Sequence, residues 1–139
     1  MRVYNERIEI STRGSGHLVN LTEYCEQAVS NSGIKNGILN VFVTGSTASI
    51  GTIEYESGLL QDLPDIMDRI APSNYPYRHN EAWGDANGHS HIRSTLMSTS
   101  FSAPIVDGKL ALGTWQQVIL AEWDIRPRNR KITFTIIGE

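Results

Sequence analysis

Three of the four histidines, His79, His89 and His91, sit close together in the strings Tyr77-Arg78-His79 and Asp85-Ala86-Asn87-Gly88-His89-Ser90-His91. Neutral imidazole is the commonest metal ligand, and Asp85 can add an oxygen beside it. The same histidines suit proton transfer as acid or base groups, with Asp85 and Asn87 placing an anion. Which pair converges depends on local structure. On a strand, His89 and His91 point to one face and chelate together. On a helix they diverge by about 200°, and Asn87 becomes the partner of His91 one turn away. The residue pattern leaves both arrangements open. It also leaves open histidines that only bond loop backbone or face water, because the spacing is less specific than His-Glu-x-x-His.

In the helical arrangement, Asp85 to Gly88 forms the helix entrance. Backbone N–H groups there hold an anion such as phosphate, with Asn87 placing it and Gly88 admitting close approach. Asp85 sits badly against a bare phosphate but well against a bridging divalent cation. Arg93, Ser94 and Thr95 lie one turn further on, where a solvated face is the ordinary alternative. Gly45-Ser46-Thr47 offers hydroxyls and N–H groups, or simply connects two strands. Glu54 is a lone acid on an alternating strand. In Leu112-Gly113-Thr114-Trp115-Gln116, Trp115 can wall a pocket and Gln116 can donate and accept, unless the pair is an aromatic core residue beside an edge glutamine. Arg130 either reaches a phosphate or makes a surface ion pair. No pair of carboxylates stands out, and no phosphate-loop, dinucleotide or nucleophile-elbow motif occurs.

These residues need a scaffold, and its elements are legible. Residues 3–10 alternate as a half-buried strand, and Gly14 and Gly16 end it. Asn20 stands as an N-cap with Glu23 three residues on, so a helix is predicted over 21–30, closed by Asn31-Ser32-Gly33. Residues 37–44 read as a central strand, paired through the 45–47 turn with a strand over 48–55. Ser57 caps a second helix to Arg69, with Pro64 in its first turn or at a kink. Residues 72–88 are expected to be a loop, of a length that is usually functional. A short helix over 86–98 is favoured, with a strand as the alternative. Strands follow over 101–106 and 110–112 about the Asp107-Gly108 turn, then over 115–123 and 131–137. The fold class expected is α+β, with mostly antiparallel sheet and helices packed on one face.

Composition sets the outer bounds. The 139 residues suit one domain, with 40% hydrophobic and 19% charged residues and net charge −3. No basic stripe is present, so no nucleic-acid partner is expected. No apolar run approaches the length needed to span a bilayer, and no signal-peptide pattern opens the chain, so a soluble cytoplasmic protein is expected. The single cysteine, Cys25, lies in an apolar helical pattern and reads as a buried, inert thiol.

Taken together, several strings resemble the YjbQ-like family of small proteins. They are His79 in Tyr-x-His, Asp85-x-Asn87, His91 in Asn-x-His-x-His, Pro104 with Gly108, Leu-Gly-Thr-Trp-Gln at 112–116, and Arg128-x-Arg130. The strand 48–54 leading to Asp62 fits as well, and the resemblance covers most of the chain. It implies an α+β homotrimer with His-rich clefts near subunit contacts. It also implies a weak, secondary thiamine-phosphate synthase activity, which joins a pyrimidine methyl diphosphate to a thiazole phosphate and releases pyrophosphate. The Asp-x-x-x-Asp magnesium site of dedicated diphosphate enzymes is not evident here.

The expectation that results is a transferase of this kind acting on a phosphorylated small molecule with a divalent metal, Zn or Mg. His79, His91 and Asp85 are the catalytic candidates. Asn87, Gly88, Trp115, Gln116 and Arg130 are the ligand-binding candidates, and His79, His89 and His91 the metal candidates. The alternatives are a metal-assisted hydrolase using the same histidines and a non-enzymatic trimeric protein with a structural ion.

Overall fold

The computed structural model describes residues 1–139. Its elements are β1 (Arg2–Ser11), β2 (His17–Asn20), α1 (Thr22–Ser32), β3 (Gly37–Thr44), β4 (Ala48–Glu54), α2 (Ser57–Ile70), α3 (Arg78–Trp83), α4 (Gly88–Met97), β5 (Ser100–Val106), β6 (Lys109–Leu110), β7 (Gln116–Glu122) and β8 (Asn129–Gly138). The strands form two antiparallel sheets, of order β1-β8-β3-β5-β6 and β2-β7-β4. No helix is long and apolar enough to cross a membrane.

Local chemistry explains most boundaries. Asn20 Oδ1 accepts the Thr22 N–H at 2.9 Å, and α1 stops at Gly33, whose φ of 68° is the left-handed value glycine tolerates. Glu56, rather than Ser57, caps α2 by accepting the Gly58 and Leu59 N–H groups at 2.7 and 2.9 Å. Asp107 (φ 50°) and Gly108 (φ 79°) make the tight β5–β6 turn. The 72–88 segment is not all loop. It carries α3, whose six residues bury nothing fully and so leave no apolar period to read.

The 45–47 turn differs from expectation in a way that matters for the site. β3 pairs with β5 and β8, and β4 pairs with β7, so the turn passes the chain from one sheet to the other. Both strands carry apolar residues that need the same core, and facing sheets provide it. Leu39, Val41 and Val43 of β3, with Ile132, Phe134 and Ile136 of β8, meet Ala48, Ile50, Val118 and Leu120 across the gap. Leu21, just before α1, and Cys25, Ala28 and Val29 of α1 join this core. Burial pushes the Cys25 thiol up to about 12, which leaves it inert. The other face of β7 presents Ile119 and Ala121, followed by Trp123 just past its end, to Met67 of α2 and Met97 of α4. β7 is therefore buried on both sides, as its unbroken apolar run requires.

One end of the inter-sheet core is polar. Glu122 and Arg130 are 0% and 3% exposed, and they pair twice, Nε to Oε1 at 2.8 Å and Nη2 to Oε2 at 2.5 Å. Thr12 donates to Glu122 at 2.7 Å, and Thr47 accepts from Arg130 at 2.7 Å. Removing one member of such a pair strands a buried charge. Glu122→Ala is therefore expected to cost about 3–5 kcal/mol of unfolding free energy, while Glu122→Leu with Arg130→Met costs less than the single change. Urea unfolding reads both, and a Glu122→Ala loss below about 1 kcal/mol contradicts the assignment.

Candidate functional site

Helix α4 decides which histidines meet. With about 100° between successive residues, His89 and His91 leave the helix on different faces. His91 takes the face of Asn87 and Thr95 and packs against His79, with ring centres 4.5 Å apart and planes tilted by 47°. Asp85 Oδ1 lies 3.2 Å from His79 Nδ1, within ion-pair reach but off the line of a good hydrogen bond. His91 borders a cleft of about 390 Å³ whose other walls are Gly45, Ser46, Ser94, Thr95, Ser98 and Thr99. Most of these residues carry hydroxyls. Ser94 is already committed, its Oγ donating to the Ala48 carbonyl at 2.6 Å. Ser98 holds φ 77° and ψ 158°, a conformation that normally belongs to glycine, so the cleft wall stores backbone strain.

Behind the cleft stands a second buried carboxylate. Asp124 receives Arg128 at 2.5 Å, Thr47 Oγ1 at 3.1 Å, the Ile125 N–H at 2.8 Å and Asn87 Nδ2 at 3.5 Å. Burial pulls its pKa upward, but the bonds from Ile125, Thr47 and Asn87 and the Arg128 charge outweigh it and hold the group low. Asn87 thus ties the start of α4 to the end of β7. Its Oδ1 faces the other way, buried and without a donor.

Several sequence candidates take other roles. His89 does not join His79 and His91. It is 4% exposed, faces Tyr77 at 6.5 Å between ring centres, and leaves the three-imidazole metal set unformed. No three His, Cys, Asp or Glu side chains converge on one point. Gly88 does not open space for a ligand, because a Cβ there would meet Tyr77 Cβ at 2.7 Å. The helix entrance is also largely taken. The Gly88 N–H binds Asn80 Oδ1 at 2.9 Å, and those of Ser90 and His91 bind the Asn87 carbonyl. Arg130 is locked to Glu122 rather than lying on the surface.

Trp115 and Gln116 lie at the opposite end of β7. Gln116 pairs with Glu54 while Glu122 pairs with Ala48, a separation of about 20 Å along the strand. Gln116 bonds Gly113 and Thr52 and lines a different cleft of about 460 Å³ between α1 and β6, and Trp115 is 71% exposed. Within one chain they do not reach the histidines.

Sequence reasoning passed over Glu122 and Asp124, and gave Arg128 no role beyond the Arg128-x-Arg130 string. The available signal was spacing: Glu122-x-Asp124 and Arg128-x-Arg130 flank one turn with matched two-residue periods of opposite charge.

Burial first, then the Arg93 charge, holds the His89 imidazole below its ordinary 6.5, against the opposing pulls of Asp68 and Asp124. Unfolding restores the ordinary value, so the unfolded chain binds the extra proton. Stability is therefore fully present above about pH 6.5 and is lost as pH falls toward the depressed folded value. His17 is also held low and acts in the same direction. Urea midpoints are expected to be flat from pH 8 to 7 and to drop below 6.5, with a shallower drop in His89→Gln. An identical acid limb in the variant contradicts this.

Residues 6–139 match the family model of the UPF0047 protein YjbQ-like family. The UPF0047 protein of Methanothermobacter thermautotrophicus is 37% identical over 139 residues, covering all of this chain and 95% of that one. A UPF0047 protein of Methanocaldococcus jannaschii is 35% identical, covering 96% and 94%. Among solved structures, a YbjQ-like protein of unknown function from Sulfolobus solfataricus P2 superposes with a TM-score of 0.95 at 38% identity, over 99% of both chains. A hypothetical protein from Aeropyrum pernix K1 follows at 0.86 and 30% identity, over 96% of this chain and 99% of that one. Sequence and fold agree over nearly the whole length, and the chain belongs to the YjbQ-like UPF0047 family.

Proposed function

We propose that the His79–His91 cleft binds a phosphorylated small molecule in the cytoplasm and carries a slow thiamine-phosphate synthase type of transfer. The observation that supports this reading is the imidazole pair itself, 4.5 Å between centres, backed by Asp85 and opening on a hydroxyl-lined cleft. In the reaction, the bond from the pyrimidine methylene carbon to the diphosphate oxygen breaks. The thiazole ring nitrogen bonds to that carbon, and pyrophosphate departs with the electron pair. The protein's task is to meet the growing charge on the leaving oxygens. His79 and His91 donate hydrogen bonds or a proton to them, and Ser46, Thr95, Ser98 and Thr99 hold the remaining oxygens.

A homotrimeric state is part of the proposal. Its support is uncovered apolar surface: Val3, Ile137 and Ile38 form one cross-strand row on the outer face of the larger sheet, 64%, 47% and 56% exposed, which Pro104 continues.

Purified protein supplied with pyrimidine methyl diphosphate and thiazole phosphate is expected to form thiamine phosphate and pyrophosphate in equal amounts. His79→Gln and His91→Gln are each expected to lower kcat about 100-fold with unchanged circular dichroism. No product, or variants as active as the parent, contradicts the assignment.

A further inference from the structure

The string Thr12-Arg13-Gly14-Ser15-Gly16-His17 carries the chain from β1 into β2. Arg13, Gly14, Ser15, Gly16 and His17, with Ile125 from the segment after β7, line a hollow of about 340 Å³. None of them borders the cleft at His91. The backbone here is firmly held. Ser15 and Gly16 donate their N–H groups to the Asp124 and Glu122 carbonyls, both at 2.7 Å, and Thr12 donates to the Arg128 carbonyl at 2.8 Å. Gly14 has a φ of 95°, and a Cβ on it would meet the Arg126 carbonyl carbon at 2.8 Å. The two segments are therefore packed backbone to backbone.

What they leave unspent is donor capacity. Gly14 is buried, yet its N–H has no partner in the chain, whereas buried backbone donors nearly always have one. His17 Nδ1 accepts the Arg13 N–H at 3.0 Å, which puts the proton of the neutral ring on Nε2. Burial and then the Arg13 charge hold this imidazole below its ordinary value, against the pull of Glu122, so the ring is neutral at pH 7. Arg13 has no carboxylate within ion-pair distance, and neither has Arg126. The nearby acids are already neutralised, Glu122 by Arg130 and Asp124 by Arg128. The Ser15 hydroxyl makes only a long bond of 3.4 Å to the Asp124 carbonyl.

Unspent donors beside an unpaired guanidinium suit an oxyanion. We propose that the 13–17 hollow binds a phosphate group through the Arg13 guanidinium, the Gly14 N–H, the His17 Nε2–H and the Ser15 hydroxyl. Arg126 adds positive charge from the adjoining segment, and Ile125, 49% exposed, flanks any organic body the phosphate carries. The site uses no metal and does not depend on the reaction proposed above.

The test is an NMR titration of 15N-labelled protein with inorganic phosphate, at constant ionic strength made up with chloride. The Gly14 amide and His17 Nε2 are expected to shift along one saturation curve. Arg13→Met is expected to weaken that binding about tenfold or more, and Arg126→Met about threefold, both folded by circular dichroism. Arg7→Met, on β1 away from the hollow, and His79→Gln leave the curve unchanged. Phenyl phosphate identifies the source of the phosphate. Tighter binding than the inorganic ion assigns the site to an organic phosphate resting on Ile125, and equal or weaker binding assigns it to the free ion. A Gly14 amide that phosphate does not move, or a curve that Arg13→Met leaves intact, overturns the proposal.

Discussion

Two ion pairs joined through one threonine, one fully buried and one with a half-buried arginine, set the geometry on which the site depends. Arg130 holds Glu122 at the end of the inter-sheet core, and Arg128 holds Asp124 one turn away. Thr47 joins them, accepting from Arg130 and donating to Asp124. Charges this deep are tolerated only when paired and fully bonded. Satisfying them fixes three things together: the 45–47 crossing between sheets, the departure of the chain from β7, and, through Asn87, the start of α4. The cleft lies where these meet.

That coupling explains why so few of the site's groups belong to regular strand faces. The apolar framework closes on itself around Leu39, Phe134 and Leu120, leaving the polar end to be organised by hydrogen bonds. The chain accepts strain there, with Ser98 in a glycine-like conformation against the cleft. It also leaves polar atoms without partners, all of them on residues 79–90 and on Trp123. Each such buried atom costs about 1–3 kcal/mol if nothing meets it. All but the Trp123 indole lie on residues 79–90, around the entrance of α4, where water or a ligand can meet them.

Much of the scaffold was legible in the sequence because its signals are local. The apolar alternation of β1, the Asp107-Gly108 turn and Gly33 as a helix stop each read correctly. The separation of β3 and β4 into different sheets was not legible, since a short turn between two apolar strands looks the same whether the strands pair or diverge. α3 was hidden by its lack of a buried face. At the site, the shared helix face of Asn87 and His91 followed from the helical option for α4, although the Asn87 amide bonds Asp124 instead, and the joining of His79 to His91 followed from no periodicity at all. Gly88 misled because a glycine that admits a ligand and one that admits a tyrosine ring are identical in sequence. Arg130 misled because its partner, Glu122, lies on another strand.

The central claim is that His79 and His91 form one ligand-binding surface distinct from the buried His89. Imidazole resonances of the three histidines, followed by NMR as thiazole phosphate is added, test it most directly. The account predicts concerted shifts at His79 and His91, with His89 and the Trp115 indole nearly still. Unmoved signals from His79 and His91 while other residues respond would contradict it.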